Sequence, residues 1–273
     1  MNKRSLYQIL FLSLASLVNH SLAYASDFGE GDKPFFESMY PSIEDDIHPF
    51  GLEMIYLEGN VKKDEGDICP TCSSFDEDEN MVTAIFPPGK IGPEESGFNF
   101  ASKLGPNESK TISYKVKFSP SFDFVKGGKL PGLCGGQGAS GGNRANGNNG
   151  FSARVVWREN GRMVMYVYHV NQADQYGDQF EWKDAQGKTL YFQKDQWQNV
   201  KVFVQMNDQG QSNGIVRTYL NDKLAFEKTD FTFRTTGSFS VDRLCFETFF
   251  GGGDPDWAPK KYEKLYIKDL IIQ

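Results

Sequence analysis

Hydrophobic and polar residues alternate in short runs along most of this 273-residue chain. From Phe151 to Trp157 the alternation sends Phe151, Ala153, Val155 and Trp157 to one side of an extended segment and Ser152 and Arg154 to the other. A turn at Glu159-Asn160-Gly161 follows. The next run, Met163 to Val170, puts Met163, Met165, Val167 and His169 on one side and Tyr166 and Tyr168 on the other. Together the two runs predict a hairpin whose apolar sides enter a core and whose polar sides share one outer face. On that face Ser152, Arg154, Tyr166 and Tyr168 come within reach of a single ligand, with Lys129 arriving from the preceding loop.

The same habit continues downstream. Gln198 to Asn207 and Gly214 to Phe226 read as strands, with Asn207-Asp208-Gln209-Gly210 as a turn between them and Asn221-Asp222 as a second tight turn. Tyr262 to Ile272 reads as an edge or closing strand. No long run has helical periodicity and no internal repeat is evident, so the expected class is all-β: an antiparallel β-sandwich of jelly-roll type. The first residues have the form of an export signal, with Lys3 and Arg4, an apolar run from Ile9 to Val18 and a small-x-small site at Ala23-Tyr24-Ala25. The expected organisation is therefore a signal peptide over 1–25 and one domain over 26–273, of a length that suits a single large sandwich. That apolar run is shorter than the roughly 20 residues a bilayer span needs, so the mature protein is expected to be soluble and secreted or periplasmic.

Charge changes the picture because of where it sits. The formal net charge is −7, which by itself argues against nucleic acid or any polyanion as partner. The acidic residues, however, concentrate between Asp27 and Glu95, where eighteen face only Lys33, Lys62, Lys63 and Lys90. Between Phe124 and Arg162, Lys126, Lys129, Arg144, Arg154, Arg158 and Arg162 face only Glu159. A local basic patch on an acidic protein is what a site for an anionic ligand looks like, and a set of solvated surface charges is the plainer alternative.

Glycine and asparagine fill the stretch from Gly135 to Gly150, GGQGASGGNRANGNNG, which offers little side chain to bury and predicts a mobile loop. Flanked by Lys129 and Ser152, it either covers a bound polymer, with Arg144 touching a carboxylate, or serves as a passive connector. The four cysteines suit an oxidising compartment. Cys69 and Cys72 have CxxC spacing without the context of a redox or zinc motif, which leaves a local disulfide or two independent thiols. A bond between Cys134 and Cys245 would tie the segment holding Lys129 to a later strand. No metal site or cofactor is expected. The mature chain has only His48 and His169, and the acidic runs lack a calcium-loop pattern.

The KGGKLPGL segment (Lys126 to Leu133), the Ser-x-Arg strand (Ser152, Arg154) and, twelve residues after that arginine, Tyr-x-Tyr (Tyr166, Tyr168) resemble polysaccharide lyase family 14. Weaker similarity runs from about Met81 through FETFFGGGDPDWAP to the C-terminus; the acidic segment before Met81 departs from it. The resemblance implies a β-jelly-roll that cleaves alginate or glucuronan by β-elimination, with Lys129, Ser152, Arg154, Tyr166 and Tyr168 as the active site. Lys126 and Arg144 are added as contacts to substrate.

That chemistry needs a group to take the C5 proton of a uronate, a partner for its carboxylate and a proton for the departing O4. Arg154 suits the carboxylate through its planar fork. His169 points away from the tyrosine face, so tyrosine and lysine remain for the proton transfers. A basic tyrosine would need Lys129 and Arg154 to favour its phenolate, while a neutral one can donate to O4. The expected partner is an anionic polysaccharide, met by a monomer. Two rivals stand beside this reading. A glycoside hydrolase needs paired carboxylates, for which Glu181 and Glu247 are lone candidates. A non-catalytic carbohydrate-binding sandwich would account for Trp182, Trp197 and Trp257 as stacking platforms, though tryptophans in a sandwich also serve as core.

Overall fold

Every second side chain of the predicted strands meets an apolar partner from a facing sheet. The computed structural model describes residues 66–68, 72–76 and 78–273. All of these lie in one compact unit within Glu44–Gln273. The predicted signal peptide, most of the acidic segment and Cys69 fall outside the described residues.

Among the described residues fourteen strands form two antiparallel seven-stranded sheets. The first runs, in spatial order, β1 (Gly66–Ile68), β4 (Phe98–Asn107), β13 (Val241–Thr248), β6 (Gly127–Gly136), β7 (Gly150–Arg158), β8 (Met163–Tyr168) and β9 (Asp178–Glu181). The second runs β12 (Lys223–Phe231), β11 (Gly214–Leu220), β10 (Gln198–Gln205), β5 (Ser109–Phe118), β14 (Glu263–Ile272), β3 (Met81–Phe86) and β2 (Ser73–Asp76). Runs such as β6 to β9 and β10 to β12 stay within one sheet, while the chain crosses between sheets at steps such as β4 to β5, β9 to β10 and β13 to β14, as in a sandwich with long-range connections. Between the sheets lies one continuous core that includes Phe86, Phe118, Phe122, Leu133, Phe151, Trp157, Met165, Val202, Phe231 and Ile267. Its aromatic residues meet edge-on, as with Phe118 and Trp157 at 5.6 Å, or stacked, as with Phe122 and Phe250.

The predicted hairpin is β7 and β8. Arg154 pairs with Tyr166 and Ser152 with Tyr168 across the ladder. Phe151, Ala153, Val155 and Trp157, with Met163, Met165 and Val167, all enter the core. The turn between them is a single 3-10 turn in which Asn160 (φ 61°) and Gly161 (φ 82°) adopt the left-handed conformation. Glycine is needed at the second position, because an added Cβ would lie 2.8 Å from the Phe124 ring.

Two sequence expectations need correction. Lys129 is not on a loop: KGGKLPGL supplies most of β6, which is bonded to β7 on one side and β13 on the other. Glycine misleads here because it tolerates a strand whose both faces are crowded. The C-terminal strand is no edge either, for β14 lies between β5 and β3. Its alternating Leu265, Ile267 and Leu270 reach the core, and pairing on both sides satisfies its backbone. The tight turn expected at Asn221 and Asp222 is present, both residues lying at positive φ between β11 and β12. No helix of the described residues is long and apolar enough to cross a membrane.

Candidate active site

The outer face of the first sheet is built by register. A bulge at Leu130 to Gly132 breaks the alternation of β6, so that Lys129 stands opposite Val156 and Gly132 opposite Arg154, all on the outer side. Cys245 of β13 pairs with Gly132, which puts Glu247, two residues on, beside Arg154. Four adjacent strands thus bring Glu247, Lys129, Arg154 with Ser152, and Tyr166 with Tyr168 onto one surface.

Arg154 is the centre of this group and is only 1 % exposed. Its Nη1 donates to both carboxylate oxygens of Glu247, at 3.0 and 2.9 Å. The guanidinium lies 5.7 Å from the Tyr166 ring centre and 5.6 Å from that of Tyr168. Its Nε and Nη2 are buried without a hydrogen-bond partner. Two unpaired donors of a buried cation carry a desolvation cost of a few kcal/mol, and a ligand oxygen would remove it.

The tyrosine rings meet edge-on at 5.5 Å, and the Tyr166 hydroxyl points to that of Tyr168 at the long distance of 3.5 Å. Burial pushes the Tyr166 phenol above its ordinary value, and Tyr168 adds to this; Arg154 and the Gly177 backbone pull the other way without prevailing. Tyr166 therefore holds its proton at neutral pH. Of the two states the sequence left open for a tyrosine, Tyr166 takes the neutral one, because desolvation outweighs the attraction of Arg154. Lys129 shifts in the opposite direction. Burial, reinforced by Arg154 and opposed by Glu247, lowers it from 10.5 to about 8. Its ammonium lies 4.7 Å from the Phe249 ring centre.

The glycine and asparagine segment between β6 and β7 closes over this face. Contrary to expectation it does bury side chains: Ala139 and Ala145 pack with Val156, Val164, Tyr166 and Tyr168 into a second apolar cluster outside the main core. Its backbone also occupies the polar groups. Ser152 Oγ donates to the Ala139 carbonyl at 2.6 Å, and the Gly142 N–H donates to the Tyr168 hydroxyl at 3.0 Å. Ser152 and Tyr168 are each 1 % exposed and Tyr166 is 8 % exposed.

The two predicted substrate contacts sit at the margins. Arg144, on the covering segment, is exposed and donates to the Gln172 carbonyl. Lys126 is held by Asp256 at 3.1 Å and Asp254 at 3.7 Å, which raise its pKa through the hydrogen bond to Asp256. His169 faces the core as predicted, with its Nε2 2.9 Å from Asp178 and its ring edge-on to Phe231. The disulfide between Cys134 and Cys245 is present, joining β6 to β13 beside Arg154; Cys72 is disulfide-bonded as well. Trp182 is core, Trp197 lies under Lys117 and Lys268 on the other sheet, and Trp257 is half-buried at the rim of the site.

Glu247 was legible in the sequence only as a lone acid; nothing local marks it as the partner of an arginine ninety-three residues away. Glu181 is likewise engaged, by Arg162 at 2.5 Å. A surface depression of about 640 Å³ lies elsewhere, at the turn end of the hairpin, lined by Phe124, Asn160, Tyr191 and Lys194 among others. It contains none of the predicted site residues. Among the described residues no group of three or more His, Cys, Asp or Glu side chains is arranged to hold a metal ion.

Solved structures of the same fold are alginate lyases. The marine PL-14 alginate lyase from Aplysia kurodai is 24% identical, with a TM-score of 0.65 over 74% of this chain and 87% of that one. Alginate lyase vAL-1 from Chlorella virus is 21% identical, at a TM-score of 0.65 over 81% and 96%. Alginate lyase Aly36B is 22% identical, at 0.66 over 74% and 83%, and a variant of it has been solved in complex with an alginate tetrasaccharide. No curated protein matches the chain in sequence. The family model described as polysaccharide lyase 14 matches residues 75–270. A match over that span takes in the whole face just described, and the chain belongs to polysaccharide lyase family 14: it is a polysaccharide lyase.

Proposed function

We propose that the protein is an exported lyase that cleaves a polyuronate, alginate or glucuronan, by β-elimination at the outer face of the first sheet. The observation that carries this reading is the cluster of Arg154, with two unpartnered buried N–H groups, between a lysine of lowered pKa and two phenols. Each member matches one requirement of the reaction.

The neutral Lys129 amine takes the C5 proton, and the electron pair of the C5–H bond becomes the C4–C5 double bond. The C4–O4 bond breaks as Tyr166 delivers its phenolic proton to O4. Lys129 then returns a proton to Tyr166, which restores both groups. Arg154 Nε and Nη2 hold the substrate carboxylate while charge develops on it, and Glu247 fixes the guanidinium plane from the other side. Tyr168 and Ser152 position sugar oxygens once the segment 137–149 lifts, since its backbone occupies both hydroxyls in the closed form. Export is supported by the leader over 1–25 and by disulfide bonding. The alginate-bound relative supports an anionic polysaccharide as the partner.

The test is incubation with alginate, polyglucuronate and other polyuronates while following the ultraviolet absorbance of the unsaturated end. Turnover should rise as pH increases through about 8. Lys129 is lowered to that value from 10.5, so its basic neutral form is reached there rather than above pH 10. Absence of unsaturated product from every polyuronate defeats the reading. A rate that does not increase between pH 6.5 and 8.5 removes Lys129 as the base.

A further inference from the structure

Three of the six cations of the basic patch are matched by carboxylates: Arg154 has Glu247, Arg162 has Glu181, and Lys126 has Asp254 and Asp256. Of the others, Lys129 is the base proposed above and Arg144, on the covering segment, is tied to the Gln172 carbonyl. Arg158 is the third. Among the described residues no carboxylate lies within ion-pair distance of it, and its only hydrogen-bond partner is uncharged: Nε donates to Gln179 Oε1 at 2.8 Å.

Its guanidinium is nevertheless fixed. The central carbon lies 5.9 Å from the ring centre of Tyr166 and 5.5 Å from that of Trp257. The side chain is half-buried, and Gly127 makes room for it: a Cβ at that position would come within 3.1 Å of Nη1 and 2.5 Å of the Trp157 carbonyl. Strand β7 places it four residues beyond Arg154 on the same face, roughly 13 Å along the sheet at 3.2–3.4 Å per residue. A planar fork held by two rings and an amide loses little freedom on binding, and its remaining donors have no anion among the described residues.

We propose that Arg158 is a specificity-determining residue that takes the carboxylate of the uronate unit adjoining the one that loses its C5 proton, in a flanking subsite walled by Trp257 and Tyr166. This rests on the polyuronate-lyase reading above. Arg154 serves the reacting unit, from a position that the covering segment shields; Arg158, at the margin, serves its neighbour and sets a demand for consecutive acidic sugars.

The experiment compares native protein with Arg158→Gln and Arg158→Lys, by steady-state kinetics on alginate and by calorimetric affinity for an alginate oligosaccharide. Arg158→Gln should raise KM and Kd at least tenfold while kcat stays within threefold. The salt dependence of binding should weaken with it. Arg158→Lys, which keeps charge and loses the fork, should fall between. On a polymer with part of its carboxyls methyl-esterified the gap between native and Gln variant should shrink. A KM and Kd unchanged by either substitution overturn the proposal, as does a loss confined to kcat. If Arg158→Gln does not fold, the Lys variant decides by the same readings. The same readings are taken on polyglucuronate: should the native protein bind through Arg158 but release unsaturated product from neither polymer, the elimination reading fails and the subsite stands; if it neither binds nor cleaves either polymer, both fail.

Discussion

In β5 and β10 of the second sheet buried and open positions alternate residue by residue, whereas in β7 and β8 of the first sheet both faces are covered. The second sheet therefore behaves as a half-solvated surface. Its outer side carries exposed ion pairs such as Lys115 with Asp269 at 2.7 Å and Lys201 with Asp222 at 2.9 Å. Pairs of that kind contribute about 0–1 kcal/mol. The first sheet has apolar packing on its inner side and, outside, a second small cluster with a buried arginine, glutamate and two phenols. Covering a polar face is costly unless its groups are paired, and here some are deliberately left short of partners. Function is found where a sheet keeps polar groups under cover without satisfying them all.

The sharpest way to break the contrast is to remove one half of the covered ion pair. Glu247→Ala leaves the Arg154 charge buried and unpaired, and thermal or denaturant unfolding should show a loss of about 3–5 kcal/mol. A loss below 1 kcal/mol would mean that this face is as open as the other sheet's. Next in size is Tyr166→Phe, which keeps the ring between Arg154 and Arg158 and removes only the hydroxyl. Turnover should fall by about a hundredfold or more with the melting temperature nearly unchanged. Full activity in that variant would take Tyr166 out of the proton transfer. The smallest effect belongs to the second sheet: Lys201→Ala should change stability by less than about 1 kcal/mol and leave turnover alone. A large loss there would show that the two outer faces are not as different as their burial indicates.

The predicted hairpin was legible because a period of two needs only neighbours in sequence to be read. The side assignments of Phe151 to Trp157 and of Met163 to His169 hold residue by residue, and so does the separation of the tyrosines from His169. The bond between Cys134 and Cys245 was only one option in the sequence, and the pairing of β6 with β13 is what brings the two cysteines together. The strand nature of KGGKLPGL was not, since glycine and proline weaken any local strand signal and only pairing with β7 and β13 on either side makes it one. The internal place of β14 was hidden for a related reason: which strands adjoin it is set by long-range pairing, not by its own residues.

Sequence alone determined which side chains share a face, because alternation is a local property of an extended chain. It determined the residue types available for proton transfer and for holding a carboxylate. Tertiary structure decided what state those groups are in. Desolvation raises Tyr166, onto which Ala139 and Ala145 of the covering segment pack, and lowers Lys129 on β6. It also decided the pairing of the cations. Arg154 and Arg158 lie four apart on one strand and look alike in sequence, yet β13 brings Glu247 to the first and no strand among the described residues brings a carboxylate to the second. Charge balance depends on distances in space, and those are fixed only when the sheets have assembled.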